Sequence, residues 1–212
     1  MNYPKLNEYR MLNQHAKKGQ ILFVGSSLME GFPIYEMQLT LNFGLDRVIY
    51  NRGIGGTTTS DLLQSMDACI FELEPSKLFI NIGSNDIAAA GNDGYSKDAL
   101  LKNYNDILDQ IKERLPQCEV FVMAYYPINA QADFGIDQAE KTAMFATRTN
   151  ANILEANAAI EQLAKQHSFS FINVNEGLTD KDGNLKPEFT VEGIHLWPNA
   201  YTVILNNLRK YL

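Results

Sequence analysis

Five short apolar runs, set between longer stretches with helical periodicity, constrain the fold of this chain more than any other feature. Ile21-Leu22-Phe23-Val24 ends in Gly25, and Val48-Ile49-Tyr50 is closed by Asn51-Arg52-Gly53. Leu78 to Ile82 is closed by Gly83-Ser84-Asn85-Asp86, and Val120 to Ala124 and Phe169 to Val174 are the fourth and fifth. Runs this short with no polar alternation are what strands look like when both faces of the sheet are covered. Between them, Thr59-Ser60-Asp61 predicts a helix start running through Ala68, and Asp98 to Leu115 carries Leu101, Tyr104, Ile107, Leu108 and Ile111 on one face before Pro116. Thr147 to Gln166 is Ala-rich, with Ile153, Leu154, Ile160 and Leu163 as its expected apolar stripe, and Pro198 to Leu212 predicts a last helix. Strand–helix alternation of this kind is the pattern of an α/β domain with a parallel sheet between helical layers.

With 212 residues, no internal repeat and no Pro/Gly/Ser linker, the chain reads as one domain over 1–212. A formal net charge of -7 and the lack of a basic run argue against nucleic acid or an anionic membrane as partner. Cys69 and Cys118, both among apolar residues, are expected to be buried free thiols, and no Cys/His cluster suggests a metal. Met1 to Lys18 has no apolar core of a secretion signal, and no stretch has the roughly 20 apolar residues of a membrane span. The expectation is a cytoplasmic protein without integral membrane association.

In an open parallel sheet, ligands bind beyond the carboxyl ends of the strands, so the turns after each run are the places to look for chemistry. Ser27 follows the first run; as an ordinary residue it would cap a helix. The loop Asn51 to Thr58, with Gly53, Gly55 and Gly56, lets the backbone approach a ligand and leaves N–H groups free, although a flexible turn uses glycine too. Asn85 offers two side-chain N–H donors after the third run, where Asn-Asp is also plain turn chemistry. Of the three histidines, His15 lies in a polar stretch, His167 at a helix tail where a cation suits the dipole, and His195 among Ile194, Leu196 and Trp197, which predicts it to be the partly buried one. Each residue has a structural explanation alone. Taken together, a hydroxyl, a base and oxyanion donors in separate loops at one end of one sheet are the set that acyl transfer requires. Asn129 to Lys141, the longest irregular stretch, is the candidate lid.

These blocks resemble those of the SGNH, or GDSL, hydrolases, a family named for its Ser, Gly, Asn and His motifs. Gly25-Ser26-Ser27-Leu28 is similar to Gly-Asp-Ser-Leu, Gly56 falls at the second-block glycine, Gly83-Ser84-Asn85-Asp86 matches Gly-x-Asn-Asp, and His195 matches the last block. The 51–58 loop looks most similar to the branch containing platelet-activating-factor acetylhydrolase-like proteins. The resemblance implies a flavodoxin-like three-layer α/β/α sandwich with a five-stranded parallel sheet. It also implies a serine esterase that needs no cofactor, with Ser27 as nucleophile, His195 as base, and the Ser27 and Gly56 N–H groups and the Asn85 amide as oxyanion hole. Two departures stand out: Ser26 replaces the family's Asp before the nucleophile, and Glu192 stands where the Asp of Asp-x-x-His is usual, so Glu192 is expected to be the third member of a triad. Leu28, Met29, Ile87, Leu196 and Trp197 are candidates for an acyl pocket, with Leu28, Ile87 and Trp197 foremost. The expected substrate is a small-molecule ester of a short acyl group, acetyl on carbohydrate being the first choice. The alternatives are a lipid or lysophospholipid ester, a non-catalytic binding module on the same sandwich, and a flavodoxin-like nucleotide binder.

Overall fold

The computed structural model describes residues 2–41, 44–88 and 95–212, with the side chains of residues 40 and 41 outside the description. Its strands are β1 (Ile21–Gly25), β2 (Ile49–Asn51), β3 (Lys77–Asn81), β4 (Glu119–Met123) and β5 (Ser170–Ile172). Its α-helices, in chain order, are α1 (Tyr3–Asn13), α2 (Ser27–Glu30), α3 (Ile34–Leu41), α4 (Thr59–Leu63), α5 (Met66–Cys69), α6 (Ser84–Ile87), α7 (Lys97–Arg114), α8 (Gln138–Phe145), α9 (Asn150–His167) and α10 (Pro198–Leu208). All strands are parallel, in the order β2-β1-β3-β4-β5.

Side-chain alternation along the strands divides the core in two. Leu22, Val24, Leu78, Ile80, Val120 and Val122 face one layer with α1, α4, α5, α7 and α9. Ile21, Phe23, Phe79, Phe121, Met123 and Ile172 face the other with α2, α3 and α10. Period-two alternation on a sheet covered twice gives two apolar faces, which is why the sequence runs lack polar alternation. The expected α/β/α sandwich is the fold found.

Several local expectations change. The helix expected from Thr59 to Ala68 is two short helices, α4 and α5, with Thr58 as N-cap in a reciprocal capping box with Asp61. In α9 the buried stripe is Ile153, Ala156, Ile160, Ala164 and His167, whereas Leu154 is 68% exposed and Leu163 only half-buried. Small alanines take the sheet-facing positions and the larger leucines turn outward. In α7, Leu100 is buried and Leu101 only partly so. The expected lid segment Asn129 to Lys141 is not wholly irregular, since α8 begins within it, capped by Asp137. Cys69 is buried and free as expected, but Cys118 is only partly buried. Burial pushes the Cys69 thiol up to about 11 and the Cys118 thiol up to about 12, so both stay protonated and poorly nucleophilic.

His167 and His195 exchange the places expected of them. His167, at the end of α9, is buried with Nε2 3.0 Å from Asn105 Oδ1. An amide oxygen only accepts, so Nε2 carries the proton and donates. Burial lowers the His167 pKa, against the opposing charge of Asp109 and with that of Lys112, so it is not the helix-end cation anticipated. His195 has a half-exposed side chain. Apolar sequence neighbours do not bury a ring that stands on a loop.

Candidate active site

The order β2-β1-β3-β4-β5 reverses direction between β1 and β3, the switch point beyond whose strand ends open parallel sheets bind ligands. The Ser27 and Asn85 blocks lead straight out of those strands. Ser26 and Ser27 follow Gly25, the last residue of β1, and Ser27 is the first residue of α2. No acceptor for the Ser27 N–H is present among the described residues, as expected at a helix start. The turn is fastened from the α10 side by Tyr201, whose hydroxyl donates to the Leu28 carbonyl at 2.7 Å. Ser26, where the resembling family has Asp, is fully buried and its Oγ has no partner among the described residues.

After β3, Gly83 leads into α6, where Asn85 Nδ2 donates to the Thr57 carbonyl at 3.0 Å. Asp86 accepts from the Thr59 N–H at 3.0 Å and from its hydroxyl at 2.5 Å, tying the third block to the start of α4. Burial raises the Asp86 pKa in spite of those bonds. The glycine loop is held on its other flank by Glu30 of α2, whose Oε2 accepts from the Gly55 N–H at 2.6 Å. The next N–H, that of Gly56, has no acceptor among the described residues. Three separate turns beyond the strand ends therefore carry hydrogens with no acceptor among the described residues: the N–H groups of Ser27 and Gly56, and the second Asn85 amide hydrogen.

His195 reaches this place from a loop with no regular structure. Nε2 lies 3.0 Å from Ser27 Oγ, and Nδ1 lies 2.5 Å from Glu192 Oε1. The same carboxylate oxygen accepts from the His195 backbone N–H at 3.0 Å, so one group fixes both ring and main chain. Burial works against the charge on Glu192, but the two bonds from His195 and the charges of His195 and Arg148 outweigh it and hold the carboxyl below its usual range. Glu192 is therefore ionised at neutral pH and can only accept, so Nδ1 carries a proton toward it. Between Glu192 and His195, Gly193 has φ +100°, its N–H donates to Thr190 Oγ1 and its carbonyl accepts from the Asn129 N–H. A Cβ there would sit 2.3 Å from the Asn129 carbonyl oxygen, so glycine is required both by conformation and by space.

The expected acyl-pocket residues fare differently. Trp197 is 48% exposed beside the site loop. Leu28 is 5% exposed and Met29 and Leu196 are also buried in the α10-side core. Ile87 is a correction: it has no exposed surface and packs in the opposite core layer, because the α6 turn that presents Asn85 directs Ile87 inward. Sequence reasoning missed Arg148, a buried guanidinium whose Nη2 donates to Asn85 Oδ1 at 3.0 Å, and it missed Glu30 as the holder of the glycine loop. Arg148 stands in a polar stretch without periodicity, and nothing local in the sequence points to it. Among the described residues no group of three or more His, Cys, Asp or Glu side chains is placed to hold a metal ion, and no helix is long and apolar enough to cross a membrane.

The sequence profile of the GDSL-like lipase/acylhydrolase family matches residues 23–203, most of the chain. The chain belongs to this family. As a GDSL-like acylhydrolase it is an ester-cleaving enzyme. Among solved structures it is similar to a Streptococcus pneumonia protein described as a platelet activating factor, at 30% identity over 99% of this chain and 91% of that one, with a TM-score of 0.82. A Bacteroides fragilis acylhydrolase shares the fold at 22% identity and TM-score 0.77, covering 100% of this chain and 97% of that one. The acetyl xylan esterase AlAXEase does so at 18% identity and TM-score 0.70, covering 91% and 99%. A curated relative, N-acylneuraminate cytidylyltransferase of Escherichia coli, is 22% identical over 97% of this chain but only 43% of its own length, so the GDSL-like chain spans less than half of that protein.

Proposed function

We propose that this enzyme hydrolyses short-chain carboxylic esters, acetyl groups on carbohydrate foremost, through an acyl-enzyme on Ser27. The observation that carries the reading is the relay Ser27 Oγ, His195 Nε2, His195 Nδ1, Glu192 Oε1, spaced 3.0 and 2.5 Å. Ser27 Oγ attacks the ester carbonyl carbon and its proton passes to His195 Nε2. The carbonyl oxygen takes up the negative charge and is met by the Ser27 and Gly56 N–H groups and the Asn85 amide. Collapse breaks the carbon–oxygen bond to the alcohol, which leaves with the proton from His195. Water then attacks the acyl carbon, gives a proton to His195, and the carboxylic acid departs as that proton returns to Ser27. Glu192 keeps the imidazole in the required tautomer and stabilises the imidazolium.

The substrate class rests on two supports. Of the apolar residues beside Ser27 and His195 in sequence, Leu28, Ile194 and Leu196 are buried and Trp197 is 48% exposed, and so little exposed apolar surface suits a small acyl group. The acetyl xylan esterase and the N-acylneuraminate enzyme among its relatives act on carbohydrates by name. A panel of p-nitrophenyl esters of increasing chain length, with acetylated oligosaccharides beside it, tests the reading. The expected result is turnover that falls as the acyl chain lengthens, deacetylation of the sugar, and a loss on the order of 10⁴-fold or more in Ser27→Ala. Preference for long acyl chains overturns the substrate class; full activity in Ser27→Ala overturns the mechanism.

A further inference from the structure

Arg148 lies two residues before α9 and is 9% exposed. No carboxylate pairs with it at ion-pair distance among the described residues. Its guanidinium is spent on the Ser84–Asn85 turn: Nε and Nη2 donate to the Ser84 carbonyl at 3.3 and 3.2 Å, and Nη2 donates to Asn85 Oδ1 at 3.0 Å. Burial lowers the Arg148 pKa and the charge of Glu192 opposes that, yet a guanidinium stays charged under these conditions. A buried cation without a bonded carboxylate costs stability, so its retention beside a site where negative charge develops calls for a reason.

The reason lies in the two ends of one amide. A primary amide such as Asn85 can turn over, exchanging its oxygen and nitrogen. Against Arg148 only the oxygen fits, since the flipped amide would face donor to donor. With Oδ1 fixed on the guanidinium, Nδ2 must face the Thr57 carbonyl, at 3.0 Å, which leaves its second hydrogen for the oxyanion of the proposed reaction. A charged donor on the oxygen also draws electron density from the amide and makes its N–H groups stronger donors. The paired bonds on Ser84 hold the peptide that carries Asn85. A lysine, with one point charge, cannot make these bonds together.

Resting on the acyl-transfer reading above, we infer that Arg148 is a positioning residue of the oxyanion hole, which sets and polarises the Asn85 amide without touching substrate. Its contribution therefore passes through Asn85 and disappears when Asn85 does.

The test is a double-mutant cycle on the full chain with p-nitrophenyl acetate, using Arg148→Lys, Asn85→Ala and both together. Asn85→Ala is expected to lower kcat by about 10²–10³-fold. Arg148→Lys is expected to lower kcat by about 5–100-fold with KM within about twofold, the range seen for directly coupled neighbours. The double variant should be no worse than Asn85→Ala within about twofold. Losses that multiply, or a change in KM alone, overturn the inference and leave Arg148 as a strut for the turn before α9. Should thermal melts show Arg148→Lys unfolded, Arg148→Gln completes the same cycle with the same two outcomes. A wild type that turns over no ester removes the acyl-transfer reading itself, which is distinct from a working esterase whose two losses multiply.

Discussion

The proposed nucleophile and its proposed base are held by different kinds of structure. Ser27 stands on a sheet: Gly25 pairs in register with Asn81 across β1 and β3, the strand is buried throughout, and a Cβ on Gly25 would lie 2.2 Å from the Asn81 carbonyl oxygen. His195 stands on a loop: between Ile172 and Pro198 the chain makes only a short 3₁₀ turn and isolated bridges, Thr179 to Leu185 and Thr190 to Leu196. That loop is shaped by local polar bonds, with Thr190 Oγ1 donating to the His195 carbonyl at 2.8 Å, the Val191 N–H to the same carbonyl at 2.8 Å, and Asn199 Nδ2 to the Glu188 carbonyl at 2.8 Å. The two halves divide the work accordingly. The part that must be rigid is built from the core, and the part that must pass protons is kept at the surface and tuned by one carboxylate.

The largest effect expected from breaking the loop half is on chemistry. Glu192→Gln keeps the shape but removes the charge that sets the His195 tautomer, and kcat should fall by roughly 10²–10⁴-fold, as for loss of a triad carboxylate's charge. Glu192→Asp should retain measurable activity. A loss below about tenfold in Glu192→Ala, equal to about 1.4 kcal/mol of barrier, would show that another group orients the ring.

Paired glycine variants sharpen the contrast. Gly193→Ala forces an alanine into φ +100° against the Asn129 carbonyl, which should displace Glu192 and His195 and lower kcat by about 10-fold or more, with a smaller loss of melting temperature than a methyl placed in the sheet. Gly25→Ala drives a methyl between β1 and β3 and should cost about 1–3 kcal/mol of stability before activity is considered. Circular dichroism melts and steady-state rates on the two proteins check this together. Equal loss of fold in both would erase the distinction between the halves.

The smallest effect concerns acid. Because burial depresses the His167 pKa in the fold, the unfolded chain takes up a proton more readily, so stability is full above the ordinary histidine value near 6.5 and is lost as pH falls through the lower folded value. His167→Gln should flatten the fall in melting temperature between about pH 7 and 5 while leaving the pH dependence of the ester rate unchanged. A shifted rate profile would mean that acid acts on the site through the α9 end rather than at the site itself.

The same contrast explains what was legible in the sequence. The strands and the turns after them could be read because burial on both faces leaves continuous apolar runs, and functional blocks follow the strand ends directly, as Ser27 and Asn85 do. Where position depends on which neighbour arrives from elsewhere, sequence pattern misleads. Leu154 has the spacing of a core residue but α9 turns Ala156 inward instead, and Ile87 adjoins the site in sequence but is swallowed by the core. His195 looked partly buried from its apolar neighbours and is exposed, and His167 looked suited to a helix-end cation and is buried, because a side chain's surroundings come from other elements. Arg148 gave no local signal at all, since its meaning lies in Asn85, 63 residues away in the chain.

The central claim is that Ser27 is an activated nucleophile, and labelling with a fluorophosphonate tests it most directly, because the probe needs no knowledge of the natural ester. Intact-mass and peptide mapping after reaction with the wild type should find one adduct, on Ser27, with labelling lost in Ser27→Ala and much slowed in His195→Ala. An unlabelled wild type, or an adduct on Ser26 that persists in Ser27→Ala, would contradict the account.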